Sequence, residues 1–254
     1  MIARTDVAKE RRLPPLRNWT FPRRMVEDHL GLAALLWLAL LVIVLGVAVG
    51  NHIWDSVGGS YWDDAVSSIP QWFVAFMAGY VAYSFLPAQI AHGQTRREFA
   101  QEALVYLVVF SAGLAALATI GFGIEAAVFA VMDWPHGIDD GHLFTSSGQV
   151  HLIVAEYLIR FLVWSAAGFT VGAGFYRSEE AGGAALAVAW IPVAITEFAI
   201  GTLYGSPLVL FRFVWDPPAL HPVLIVAIGL LSFAALVWGG WKIIHDIPIK
   251  TKSE

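Results

Sequence analysis

Four ionisable side chains lie inside long apolar runs of the sequence: Glu125, Glu156, Arg160 and Glu197. An ionisable group within a membrane span costs about 2.5–3.5 kcal/mol on insertion scales, so each one indicates a pairing or a functional role. Counted from the predicted outer ends of their helices, the three glutamates lie six or seven residues deep, which is roughly 10 Å. They are therefore predicted to form one polar layer contributed by three helices.

Two interpretations of this layer remain open. As structural residues, Glu156 and Arg160 form an ion pair at i,i+4 spacing, with the acid on the favourable N-terminal side. The remaining acids then bond to hydroxyls such as Thr119, Thr196 and Thr202. As functional residues, the layer lines the substrate path, where its surplus negative charge binds a cationic or amphipathic substrate or carries a proton.

A weaker site lies between the third and fourth apolar runs, where His136, Asp139, Asp140 and His142 occur close together. Imidazole and carboxylate groups are ligands for zinc and copper. Their spacing here matches no closed metal motif, and the Gly and Pro residues among them are equally typical of turns. We therefore predict no metal in this chain and keep these four residues as the weak candidates.

Six apolar runs, each roughly 20 residues or longer, must position these groups. The predicted spans are 30–50, 69–91, 103–132, 150–176, 181–204 and 220–241. With 58% hydrophobic and 14% charged residues among 254, the chain carries more apolar surface than a soluble domain of this length can bury. The predicted fold class is an all-α integral membrane protein with six transmembrane helices, since helices satisfy their own backbone in lipid.

Small residues predict where two of these helices pack most closely. Gly168 and Gly172 form a G-x-x-x-G pattern in the fourth span. Such a pattern removes side chains from one face of a helix and lets a neighbouring backbone approach. We expect another span to cross at this point.

The basic residues predict the orientation. Thirteen of the fifteen Lys and Arg residues flank the same side of the six spans, and only Arg160 and Arg212 lie elsewhere. By the positive-inside rule, both termini and the loops after spans two and four are cytoplasmic. The opposite loops are acidic, with Asp55, Asp63, Asp64, Asp133, Asp139, Asp140 and Asp216.

The domain organisation contains no soluble domain. Residues 1–29 form a cytoplasmic segment in which aromatic and basic residues alternate after Pro14 and Pro15, as in an interfacial amphipathic helix. Residues 30–245 form the transmembrane domain, and 246–254 are a cytoplasmic tail. Within the domain, 205–218 are too apolar for a free loop and are predicted to form an outer re-entrant segment, or else a surface helix lying flat.

The loop after the second span, residues 92–102, carries a set of helix-end signals. Gly93 can end one helix, Thr95 can cap the next, and Glu98 stands at the position that completes a capping box. The expected product is a short helix that lies across the membrane surface and carries Arg96, Arg97 and Phe99. An ordinary tight basic loop is the alternative.

This loop reads G-x-T-R-R-x-F, with Gly93, Thr95, Arg96 and Phe99 at the matching positions. It resembles the coupling helix of ABC-2 type permeases, the membrane subunits of bacterial ABC exporters with type V exporter-like architecture. The resemblance covers about ten residues in motif and the whole chain in topology. It implies a homodimer in the bacterial plasma membrane, bound through residues 92–102 and the N-terminal segment to two copies of a cytosolic ABC ATPase, which holds the ATP and Mg.

The absence of known catalytic motifs favours this permease interpretation over an enzyme. The sequence has no P-loop, HExxH or GxSxG motif and no cysteine, so nucleotide hydrolysis, zinc proteolysis and thiolate chemistry by the common routes are excluded. We expect no cofactor in this chain and no nucleic acid partner. Two other classes stay open, namely a membrane-embedded enzyme using Glu125, Glu156 and Glu197 and a membrane scaffold that transports nothing.

Overall fold

A computed structural model describes residues 20–54, 58–138, 141–201 and 220–247. These residues form helices and no strands. The α-helices are α1 (Thr20–Ile53), α2 (Tyr61–Val66), α3 (Ile69–Tyr80), α4 (Leu86–Ala91), α5 (Arg96–Met132), α6 (Val150–Arg177), α7 (Glu179–Ile200) and α8 (Pro222–His245). A π-helical turn, Val81–Phe85, joins α3 to α4.

The six predicted spans are confirmed as six helical segments long and apolar enough to cross a membrane. They are Met25–Ile53, Tyr61–Ala91, Arg96–Met132, Val150–Arg177, Glu179–Ile200 and Pro222–His245. The second differs most from its prediction, because it begins eight residues earlier and is interrupted between α2 and α3. The helix over Tyr61–Val66 contains polar residues, so the apolar pattern alone did not predict that it belongs to the span.

Helix α6 forms the centre of the bundle. In its most apolar stretch 72% of the residues are buried, against 22–44% in the other five spans. It packs against α3, α5, α7 and α8, whereas α1 packs mainly against α5 at the outside of the bundle. A side chain on α6 can therefore meet partners from most of the other spans.

The predicted close approach at Gly168 and Gly172 is confirmed. A Cβ added at Gly168 would lie 2.0 Å from the carbonyl oxygen of Ala75, and one at Gly172 would lie 2.2 Å from that of Gly79. Both contacts are to the backbone of α3, which cannot move aside as a side chain can. Glycine is thus required at both positions for α3 to lie against α6.

The predicted interfacial helix within residues 1–29 is described only from Thr20 onward. Over the described part, Thr20 begins α1, which continues without a break to Ile53. A separate surface helix is therefore absent from residues 20–29, because their apolar and charged residues continue the helix of the span. Residues 1–19, the predicted re-entrant segment 205–218 and the tail from 248 to 254 lie outside the described residues.

Candidate functional site

The centre of the polar layer is Arg160, a fully buried arginine on α6. Its Nη2 donates to Oε2 of Glu197 on α7 at 3.1 Å. Its Nη1 lies 3.6 Å from Oε1 of Glu156, one turn away on α6. The predicted i,i+4 pair is therefore present, but the shorter contact of the guanidinium is with a different helix.

Glu197 also accepts a hydrogen bond from the ring of Trp164, whose Nε1 lies 2.8 Å from Oε1. Both residues are buried to within 1% exposure. Each oxygen of the Glu197 carboxylate thus receives a donor from α6. This arrangement ties α7 to α6 at the level of Arg160.

Glu156 is held mainly by the loop that precedes α6. Its Oε1 lies 2.7 Å from Nδ1 of His142, and its Oε2 accepts from the backbone N–H of Leu143 at 2.8 Å. The other ring nitrogen of His142, Nε2, lies 3.2 Å from Oδ1 of Asp63 on α2. One imidazole therefore bridges two buried carboxylates from two different spans.

The bridge keeps His142 protonated near neutral pH. Its side chain is only 4% exposed. Burial of the imidazole opposes its protonation, but the hydrogen bonds and charges of Asp63 and Glu156 outweigh that effect and raise the pKa of His142 to about 9. The cluster thus contains two cations, His142 and Arg160, against the three carboxylates Asp63, Glu156 and Glu197.

The sequence placed Asp63 in an acidic outer loop, whereas the structure buries it to 2% exposure. Asp63 lies in the first turn of α2, where its backbone N–H donates to the capping Oγ of Ser60 at 3.1 Å. Ser67 lies between Oδ1 of Asp63 and the hydroxyl of Tyr157, at 3.5 and 3.3 Å. The Ser60-x-x-Asp63 spacing is a helix-start signal that could have revealed α2, although not the burial of its acid.

Glu125 belongs to a neighbouring cluster instead of joining Arg160. It accepts from the hydroxyl of Ser60 and, at 2.7 Å, from the backbone N–H of Trp62. Nε2 of His136 lies 3.2 Å from its Oε2. Because Ser60 contacts both Glu125 and Asp63, the two clusters adjoin, and the predicted single layer is divided into two groups. Glu197 also lies only three residues from the end of its helix, because α7 ends at Ile200 and does not reach Tyr204.

Two of the predicted hydroxyl partners, Thr119 and Thr196, do not bond to the acids. Thr119 donates to the carbonyl of Ala115, and Thr196 donates to that of Pro192, each within its own helix. Thr202 lies outside the described residues. Glu125 instead accepts from the hydroxyl of Ser60, because the loop before α2 folds back onto α5.

His136 and His142 bond to different carboxylates, and Asp139 and Asp140 lie outside the described residues. Among the residues described, no group of three His, Asp or Glu side chains is arranged to hold a metal ion. The two imidazoles of the predicted weak metal site instead serve as hydrogen-bond partners of Glu125 and Glu156.

At the opposite end of the bundle, the helix-end signals of the loop after α4 are confirmed. Gly93 has the left-handed φ of 86°, a conformation that favours glycine. The hydroxyl of Thr95 accepts from the backbone N–H of Glu98, and the Glu98 carboxylate accepts from that of Thr95. This capping box fixes the direction in which α5 leaves the loop.

The predicted short surface helix is wrong, since Arg96 begins α5, a continuous helix of 37 residues. Phe99 is fully buried and stacks on Phe169, with ring centroids 6.3 Å apart. Arg96 donates to the carbonyl of Ile247, just after α8, at 2.7 Å. These two motif residues therefore bind within the chain, whereas Arg97 is exposed.

No family model, curated protein or solved structure matches this chain. The features of the chain that bear on function are the clusters around Arg160 and Glu125 at one end of the bundle and the capped loop at the other.

Proposed function

We propose that the chain is the membrane subunit of an ATP-driven exporter of the ABC-2 type. Two copies would form the substrate path, and two copies of a separate cytosolic ABC ATPase would bind and hydrolyse ATP with Mg. The protein would lie in the bacterial plasma membrane with both termini and the loop of residues 92–102 in the cytoplasm. The distribution of Lys and Arg supports this orientation.

The observation that carries the proposal is the construction of the loop after α4. A left-handed Gly93 and a complete capping box hold it in one conformation. Arg96 ties it to the end of α8. A partner that bound the exposed Arg97 would thus push on two spans at once.

Helix α5 offers a path for this force to the other end of the bundle. It runs unbroken from Arg96 to Met132, which is about 54 Å at 1.5 Å per residue. Near its far end it carries Glu125, which accepts hydrogen bonds from Ser60 and Trp62 at the start of the second span. Displacement of the capped loop would therefore pull on the contacts that close the outer end.

The clusters around Arg160 and Glu125 suit a closing contact better than a catalytic centre. Each of their glutamates already has at least two hydrogen-bond partners within the chain. Such saturation holds elements in register. This saturation supports the structural interpretation of the layer. It does not favour the enzyme alternative.

The test is reconstitution of the chain in vesicles with the ABC ATPase encoded beside it. Arg97→Glu should abolish co-purification and the stimulation of ATP hydrolysis, because it reverses an exposed charge without touching the core. Arg177→Glu is the matched control, since Arg177 is an exposed base that ends α6 at the same end of the bundle. Arg96 and Phe99 are unsuitable because their substitution would disturb the fold.

Retained binding and ATPase stimulation in Arg97→Glu would contradict the docking role of this loop. A chain that is stable alone and has no nucleotide-dependent partner would overturn the exporter proposal and favour a scaffold.

A further inference from the structure

An apolar groove of about 520 Å³ runs between α3, α6 and α7. Its floor consists of small residues that include Gly79, Ala167, Gly168 and Gly172. The same glycines that bring α3 against α6 therefore leave space above the contact. The side walls include exposed aromatic rings, such as Phe76 at 69% exposure.

Three tryptophans close one end of this groove. The ring of Trp72 lies edge-on to those of Trp164 and Trp190, with centroids 5.1 and 5.2 Å away, and the last two are 5.1 Å apart. Trp164 already donates its N–H to Glu197. It consequently presents hydrocarbon, with no free donor, to whatever fills the groove.

The groove is about as long as one half of a bilayer is deep. Trp164 is at the middle of α6, and Phe175, which lines the other end, lies two residues before Arg177 at the end of the helix. The eleven residues from Trp164 to Phe175 rise about 16 Å. This length is close to half of the ~30 Å hydrocarbon core, which is the depth of a single leaflet.

Charges of both signs begin where the groove ends. Arg177 is exposed just beyond Phe175, and Glu179 and Glu180 are exposed at the start of α7. Tyr80 and Tyr83 line the same end, as aromatic residues with a polar tip do at a membrane interface. An apolar channel that leads to charges of both signs complements a fatty acyl chain joined to a zwitterionic headgroup.

We propose that this groove binds one acyl chain of a membrane phospholipid from the leaflet at the Arg177 end, with the chain terminus against the three tryptophans. The bound chain replaces protein packing between α3 and α7 above the glycine contact. It therefore occupies a defined site and exchanges more slowly than the lipid around the rest of the bundle.

The first experiment uses fluorescence quenching in phosphatidylcholine vesicles whose acyl chains carry bromine near the terminal methyl. The difference between the unsubstituted protein and Trp190→Phe isolates the emission of Trp190. An indole ring that contacts one bound acyl chain loses emission in direct proportion to the brominated fraction of the lipid. Trp238, which is 64% exposed on α8 and is isolated in the same way with Trp238→Phe, should lose emission more steeply because several lipids touch it.

The second experiment counts phospholipids retained by the purified protein in detergent, using mass spectrometry of the intact complex. Val171→Phe fills the groove from its wall and should weaken retention roughly fiftyfold, the effect of displacing about three methylenes. Val188→Phe is the control, because Val188 is 65% exposed on α7 away from the groove. It should retain one phospholipid per chain, as the unsubstituted protein does.

Equal retention in all three proteins, or quenching of Trp190 as steep as that of Trp238, would overturn the proposal. The proposal would also be overturned if brominated chains did not quench Trp190 and Val171→Phe dissociated a dimer. A second copy of the chain would then fill the groove. The quenching experiment leaves Val171 unchanged and remains decisive if Val171→Phe fails to fold.

Discussion

The bridge made by His142 predicts that docking of the loop before α6 depends on pH. His142 contacts Asp63 through one ring nitrogen and Glu156 through the other. Loss of its proton would leave two buried carboxylates without the cation between them. Leu143, whose N–H donates to Glu156, is the backbone reporter of this docking.

The size of this pH effect follows from the pKa of His142, which the docked structure raises from 6.5 to about 9. Because a raised pKa favours the protonated docked state, the stabilisation is fully present below pH 6.5 and is lost as pH rises toward about 9. Each unit of pKa shift is worth about 1.4 kcal/mol, so docking is stabilised by about 3 kcal/mol at acidic pH. The opening equilibrium of the loop should therefore change by about two orders of magnitude across this window.

The assay is hydrogen exchange at the Leu143 amide in nanodiscs, corrected for the intrinsic exchange rate at each pH. Protection should be constant below pH 6.5 and fall roughly tenfold per pH unit above it, until about pH 9. His142→Gln should remove this protection at about pH 6 and match the unsubstituted protein at about pH 9.5. His151→Gln is the control, because His151 is exposed at the start of α6. Protection that is independent of pH, or unaffected by His142→Gln at about pH 6, would refute the reasoning.

Two further predictions concern the packing of α6. Arg160→Met should destabilise the protein by about 3–5 kcal/mol in detergent, because it leaves Glu197 buried without a cation. Adding Glu197→Gln to Arg160→Met should restore part of the lost stability. An unchanged thermal midpoint in Arg160→Met would contradict the role of Arg160 as the buried counter-charge. Gly168→Ala should separate α3 from α6 and lower the thermal midpoint, since the added Cβ would lie 2.0 Å from a backbone oxygen. Gly123→Ala is its control on α5, where a Cβ meets nothing within 4 Å, and it should be neutral or stabilising by up to about 1 kcal/mol; equal effects of the two substitutions would argue against the close contact.

The sequence by itself determined the features that depend on local spacing. Six apolar runs predict six spans because each run alone is long enough to cross the bilayer. The Thr95 and Glu98 capping box and the glycine pair of α6 were predictable for the same reason, since both patterns act within one or two helical turns.

Only the tertiary structure decided which groups meet. The i,i+4 spacing correctly brought Glu156 near Arg160, but the long guanidinium side chain reaches Glu197 on α7 more closely. The six-residue helix α2 and the loop before α6 are too short or too irregular to show a periodicity. The burial of Asp63 and the bridging role of His142 therefore had no strong sequence signal. Phe99 was expected at a surface, whereas the continuous α5 turns it toward Phe169. In each case the deciding factor is the rotation of one helix against another, which spacing along a single helix does not specify.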